Sequence, residues 1–106
     1  MTDFNELIKN LPKMIDPEEA KGLTGRVQFS LSGEGGGDWG VVLDDGKVSV
    51  SEGAMTQPQL TIKTTAESAE NLLSGKLDPM MAFMSGKIKI SGDMSLGMKL
   101  MGLLKR

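Results

Sequence analysis

Five short stretches of the chain carry an apolar residue at every second position, and this pattern limits the fold more than any other feature. Val27, Phe29 and Leu31 are interleaved with Gln28, Ser30 and Ser32. Trp39, Val41 and Leu43 repeat the spacing, as do Val48 and Val50, then Leu60, Ile62 and Thr64, then Ile88 and Ile90 between Lys87, Lys89 and Ser91. In an extended strand successive side chains point to opposite faces, so each stretch has one apolar face, and the first, third, fourth and fifth have a polar face as well. Strands of this kind form a sheet that faces solvent on one side and is covered by helices on the other. Asp45-Gly46, a two-residue turn signal, joins the second and third as a hairpin.

Helices fall between and around these strands. Asp3 to Glu6 has the form of a capping box, and Phe4, Leu7, Ile8 and Leu11 follow at helical spacing until Pro12 interrupts or restarts the turn. Asp16-Pro17 opens a short second helix closed by Gly22. Glu18 and Glu19 stand in its first turn. Consecutive helical residues do not face each other, so they complement the helix dipole and do not form a catalytic acid pair. Residues 66–74 carry Ala69, Leu72 and Leu73 and end at Gly75. Asp78-Pro79 starts a helix reaching to about residue 85, and Asp93 caps a last one over 94–104. A helix, four strands, helices, a fifth strand and a helix make an α+β domain, read as a single unit over residues 1–106.

The last helix is too apolar for an ordinary surface helix. At about 100° per residue, Met94, Met98 and Met101 form one stripe and Leu96, Leu100, Leu103 and Leu104 a broader one, leaving only Ser95, Lys99 and Gly102 as a polar or small face. The apolar arc is roughly 220°, where roughly 100° suffices to sit on a core. A lipid-like ligand, a partner chain or a membrane surface must cover the rest. Six of the nine methionines, Met80, Met81, Met84, Met94, Met98 and Met101, lie in this last third. Methionine is flexible and polarisable, which suits a surface that fits varied apolar shapes, although any single methionine also serves as a core gap-filler.

Composition narrows the chemistry. With no cysteine and no histidine, disulfides, thiolate or imidazole catalysis and the usual zinc sites are excluded. A net charge of −2 with four aromatic residues argues against nucleic acid. No apolar run approaches a membrane span and the first residues lack the basic character of a signal peptide, so a cytoplasmic protein is expected. Gly35, Gly37 and Gly40 fit G-x-G-x-x-G, but a strand follows where a dinucleotide site needs a helix N-terminus, so we read a hairpin connection. Asp44 and Asp45 flank a turn. No catalytic residue, metal or cofactor is expected. Charge is uneven: from Gly75 on there are six bases and two acids, +4, leaving −6 for the remainder. A basic end beside an apolar helix suits anionic head groups or an anionic bilayer.

The residues Gly75-Lys76, Pro79, Ala82-Phe83, Gly86-Lys87-Ile88-Lys89-Ile90, Gly92-Asp93-Met94 and Leu96-Gly97-Met98-Lys99-Leu100 resemble the sterol carrier protein type 2 domain. Ile15-Asp16, Ala20 to Gly25 and the hairpin from Trp39 to Gly46 add to the likeness, which spans nearly the whole chain. Such domains occur fused to peroxisomal multifunctional enzymes and as free-standing bacterial proteins. The resemblance implies a twisted, five-stranded, mainly antiparallel sheet with helices on one face and an apolar tunnel roofed by the C-terminal helix. It also implies non-enzymatic binding and transfer of sterols, phospholipids, fatty acids or acyl-CoA. The matching ligand-binding positions are Phe83, Met84, Ile88, Ile90, Met94, Met98 and Met101. Ser85 and Asp93 depart from the frequent Gln and Asn, and the chain's last residues are not Ser-Lys-Leu. A bacterial or archaeal cytoplasmic type with acyl-chain ligands therefore fits better than a peroxisomal sterol carrier. A long-chain lipid, transient contact with an anionic membrane, and a monomer or weak homodimer are the expected associations. The alternative is an interaction or dimerisation module using the Met/Leu helix. The last helix is expected to act as a movable lid.

Overall fold

Alternation becomes register in the sheet. The computed structural model describes residues 4–34 and 36–104, without the side chains of Phe4, Asn5 and Leu104. The capping role of Asp3, the apolar roles of Phe4 and Leu104, Gly35, and the charges of Lys105 and Arg106 lie outside the described residues. Strands β1 (Thr24–Ser32), β2 (Gly37–Asp44), β3 (Lys47–Glu52), β4 (Leu60–Thr65) and β5 (Lys89–Gly92) form one sheet in the order β3-β2-β1-β4-β5. Neighbours are antiparallel except β1 and β4, which run parallel. Pairings such as Val27 with Val41 and with Leu60, Phe29 with Trp39 and with Ile62, and Ile62 with Ile90 keep the apolar positions that lie within the strands on one face. At the β2–β3 turn, Asp45 (φ 48) and Gly46 (φ 97) both take the left-handed conformation that a two-residue hairpin requires.

Helices cover that face. Helix α1 (Phe4–Lys9) ends before Pro12, and α2 (Leu11–Met14) restarts with that proline in its first turn. Helix α3 (Pro17–Ala20) is a single turn whose first free N–H, that of Glu18, donates to the Asp16 carboxylate at 2.9 Å. Helix α4 (Ala66–Leu73) packs on α1, α5 (Pro79–Met84) on α6 (Met94–Leu104), and α6 on β4 and β5. The main core joins Ile8, Leu11, Ile15 and Ala20 to the inner faces of β1, β2 and β4, and to Ala69, Leu73, Leu96 and Leu100.

Two glycines allow close approach. A Cβ on Gly25 would lie 2.6 Å from the Leu96 side chain, so its absence lets α6 settle over the start of β1. Gly92 has φ +106 and pairs with Leu60; a Cβ there would collide with the Gln59 carbonyl. That same carbonyl accepts from the Asp93 N–H at 2.8 Å, and Asp93 Oδ1 accepts from the Leu96 N–H at 3.1 Å. The entry into α6 is thus fixed from both sides.

The expected strand over 87–91 is displaced: β5 covers Lys89–Gly92, because residues 86–88 complete the turn that ends α5.

Candidate functional site

Two helix ends of the same design build the site. Helix α4 ends Asn71-Leu-Leu-Ser-Gly-Lys-Leu77, and α5 ends Ala82-Phe-Met-Ser-Gly-Lys-Ile88. In each, the glycine takes a left-handed φ, +84 at Gly75 and +82 at Gly86. The Lys76 N–H donates to the Asn71 carbonyl at 2.9 Å, and the Lys87 N–H to the Ala82 carbonyl at 2.8 Å. The glycine N–H groups donate to Leu72 at 3.4 Å and to Phe83 at 3.2 Å. This is the Schellman arrangement, which satisfies the last carbonyls and reverses the chain. Each reversal delivers the next apolar residue, Leu77 or Ile88, to the same place. Between the two turns Asp78 caps α5, its Oδ1 accepting from the Met80 N–H at 2.8 Å and the Met81 N–H at 3.4 Å.

The result is a second apolar cluster, distinct from the main core. Leu72, Ala82, Ile88 and Met101 are buried in it; Leu77, Met80, Phe83 and Ile90 pack against it. Ile90 touches both clusters. The cluster lies among α4, α5, α6 and the segment entering edge strand β5, where the resemblance implies an apolar tunnel. Thr64, a buried polar residue, ties that segment down by donating Oγ1–H to the Lys87 carbonyl at 2.9 Å.

Of the seven expected ligand-binding residues, the structure brings four together: Phe83, Ile88, Ile90 and Met101. The other three are on the surface, with Met84 78%, Met94 42% and Met98 45% exposed; Met81, at 64%, joins them. Among the described residues, the exposed large apolar side chains are thus all methionines of α5 and α6, the two helices flanking β5. On α6 the buried residues Leu96, Gly97, Leu100 and Met101 span about 140° at 100° per residue. Met94 and Met98 continue the arc beyond Met101 onto the surface, and Ser95, Lys99 and Gly102 are exposed as expected.

Leu72, Leu77, Met80 and Ala82 are also part of the cluster and were not among the expected positions. The twice-repeated Ser-Gly-Lys-apolar string was the signal that could have found Leu77. The cluster's side chains are aliphatic, aromatic and thioether groups. Two open clefts lie elsewhere: one of about 420 Å³ on the sheet's outer face around Lys63, Lys87 and Lys89, and one of about 310 Å³ between Lys21–Leu23 and Lys99 with Leu103. None of the seven expected residues lines either cleft. Among the described residues, no helix is long and apolar enough to cross a membrane.

The model of one family, the SCP-2 sterol transfer family, matches residues 4–105. The chain belongs to that family. Among curated proteins it is similar to Hydroxysteroid dehydrogenase-like protein 2 of Xenopus tropicalis, 38% identical over 102 residues. That match takes in 95% of this chain and 24% of the relative, so this SCP-2 chain spans a minor part of the curated proteins it resembles. Among solved structures, the solution structure of palmitated SCP2L2 from Aedes aegypti superposes with a TM-score of 0.83 at 24% identity, covering 99% of this chain and 96% of that one. The crystal structure of Sterol Carrier Protein 2 Like 2 from the same species gives 0.77 at 27% identity, covering 94% and 92%. The five-stranded α+β arrangement is therefore the SCP-2 fold.

Proposed function

We propose that the chain is a non-enzymatic, single-domain carrier of long-chain lipids, fatty acid or acyl-CoA in preference to sterol, with the acyl tail lodged in the second cluster. The observation that carries this reading is the composition of that cluster. Its flexible members, Met80 and Met101, sit with Phe83 at the junction of three helices and a sheet edge, and they lead outward to four exposed methionines. Flexible side chains can turn aside for a tail and repack without it, at little cost in strain. The tail lies against Phe83, Ile88, Ile90 and Met101, and Met84, Met94 and Met98 form the mouth. A tunnel opens there as these side chains rotate. The palmitated Aedes aegypti protein, which has the same fold, supports an acyl ligand.

The exposed methionines favour one second reading, in which the same surface pairs with another protein chain or a second copy. One experiment separates the two. The protein is purified without detergent and analysed by native mass spectrometry, then by solvent extraction. Co-purifying acyl species on a monomer are the expected result. A lipid-free dimer that also fails to bind a fluorescent fatty acid would replace the carrier with the interaction module.

A further inference from the structure

We propose that the outer face of the sheet carries a binding site for a phosphate group, separate from the lipid cluster. Sheet register places Asp38 opposite Ser30, Ser30 opposite Lys63, and Lys63 opposite Lys89, in one row across four strands. Lys87 lines the same cleft from the turn before β5. Like charges directly opposite on neighbouring strands destabilise a sheet, so the Lys63–Lys89 pair requires a reason. None of the three lysines forms an ion pair within the described residues, and Asp38 stands at the far end of the row, two strands from Lys63.

The hydroxyls point to the same conclusion. Ser30 Oγ accepts from Gln28 Nε2 at 3.1 Å, and Thr65 Oγ1 accepts from the Ser68 N–H at 3.0 Å. Each oxygen is used as an acceptor, which leaves its O–H free to donate, and neither proton has an acceptor among the described residues. The cleft therefore offers three ammonium groups and two hydroxyl donors against one carboxylate. A dianion with acceptor oxygens on every side answers that set, and a phosphate group is the biological anion with that geometry. The cleft's volume of about 420 Å³ leaves room for an organic group attached to the phosphate.

The phosphate could be free or part of a lipid head group, and two arms distinguish these. In the first, inorganic phosphate is titrated at constant ionic strength while amide resonances and the melting temperature are followed. In the second, sedimentation with phosphatidylcholine vesicles is compared with and without phosphatidic acid. A free anion predicts shifts at Ser30, Lys63, Lys87 and Lys89, a raised melting temperature, and at least tenfold weaker binding in the Lys63→Gln, Lys89→Gln double variant. A head group predicts capture by phosphatidic acid vesicles that the double variant loses. Both substitutions are at exposed positions, so in chloride alone the double variant should melt no lower than wild type; Lys89→Gln alone serves if the pair does not fold. No response of wild type in either arm, or an equal response of the double variant, overturns the site.

Discussion

Glycine at a helix end carries a definite penalty when replaced, and this chain offers a graded set. Gly86 holds φ +82 with nothing near its Cα face, so Gly86→Ala bears only the left-handed strain, roughly 1–2 kcal/mol. Gly92→Ala adds a collision with the Gln59 backbone to a similar strain and should cost clearly more. Urea denaturation of the two variants checks the order; an equal or smaller loss for Gly92→Ala would mean that the β4–β5 pairing relaxes freely. Met98→Asp tests the mouth of the lipid site. Met98 is 45% exposed, so the charge keeps its water and the fold should hold, while affinity for a fluorescent fatty acid should drop at least tenfold as the tail meets a carboxylate. Unchanged affinity would move the mouth away from α6. At this scale the sequence was informative about chemistry and poor on position. Met101 and Met98 lie three residues apart on one stripe, yet one is buried and the other exposed, because α5 covers only one side of the helix.

The helices and strands were more legible than their neighbours in space. Alternation identified every strand, and Asp-Pro or Asp caps located α3, α5 and α6, since these signals act within a few residues. The start of β5 was misread because Lys87 and Ile88 keep the alternating pattern while their backbone belongs to the Schellman turn. Packing also changes which element is expected to yield. The apolar excess of α6 suggested a lid, but Leu96 and Leu100 root that helix in the main core. Lifting it would expose both, at about 1.5–3 kcal/mol each. Helix α5 is shorter and buries only Pro79 and Ala82. Hydrogen exchange with and without bound fatty acid should therefore show the larger change in residues 79–88 and little change at Leu96 to Leu100. A change confined to α6 would restore the lid.

The whole molecule sets an apolar layer against a basic outer face, with one sheet between them. Strand order was beyond the sequence: alternation tells each strand which face is inward and nothing about its neighbours, so the parallel pairing of β1 with β4 could not be read. Nor could the meeting of Lys63 with Lys89, which that order creates. The positive charge of the last third was legible, and the structure leaves Lys76, Lys87, Lys89 and Lys99 exposed. Lys99 follows Met98 on the exposed side of α6, about 100° round the helix from it. A carrier so built should approach an anionic bilayer methionine side first, with Lys99 held by the surface potential, an attraction of about 1 kcal/mol per base. Transfer of a fluorescent fatty acid should be faster to anionic than to neutral vesicles. Above physiological salt, where the Debye length falls below about 8 Å, the difference should shrink. Lys99→Glu should reduce the advantage several-fold while leaving affinity for the fatty acid intact, since the side chain is outside the apolar cluster. Equal rates to both kinds of vesicle at low salt would mean that release proceeds through solution and that the charge on α6 serves solubility alone.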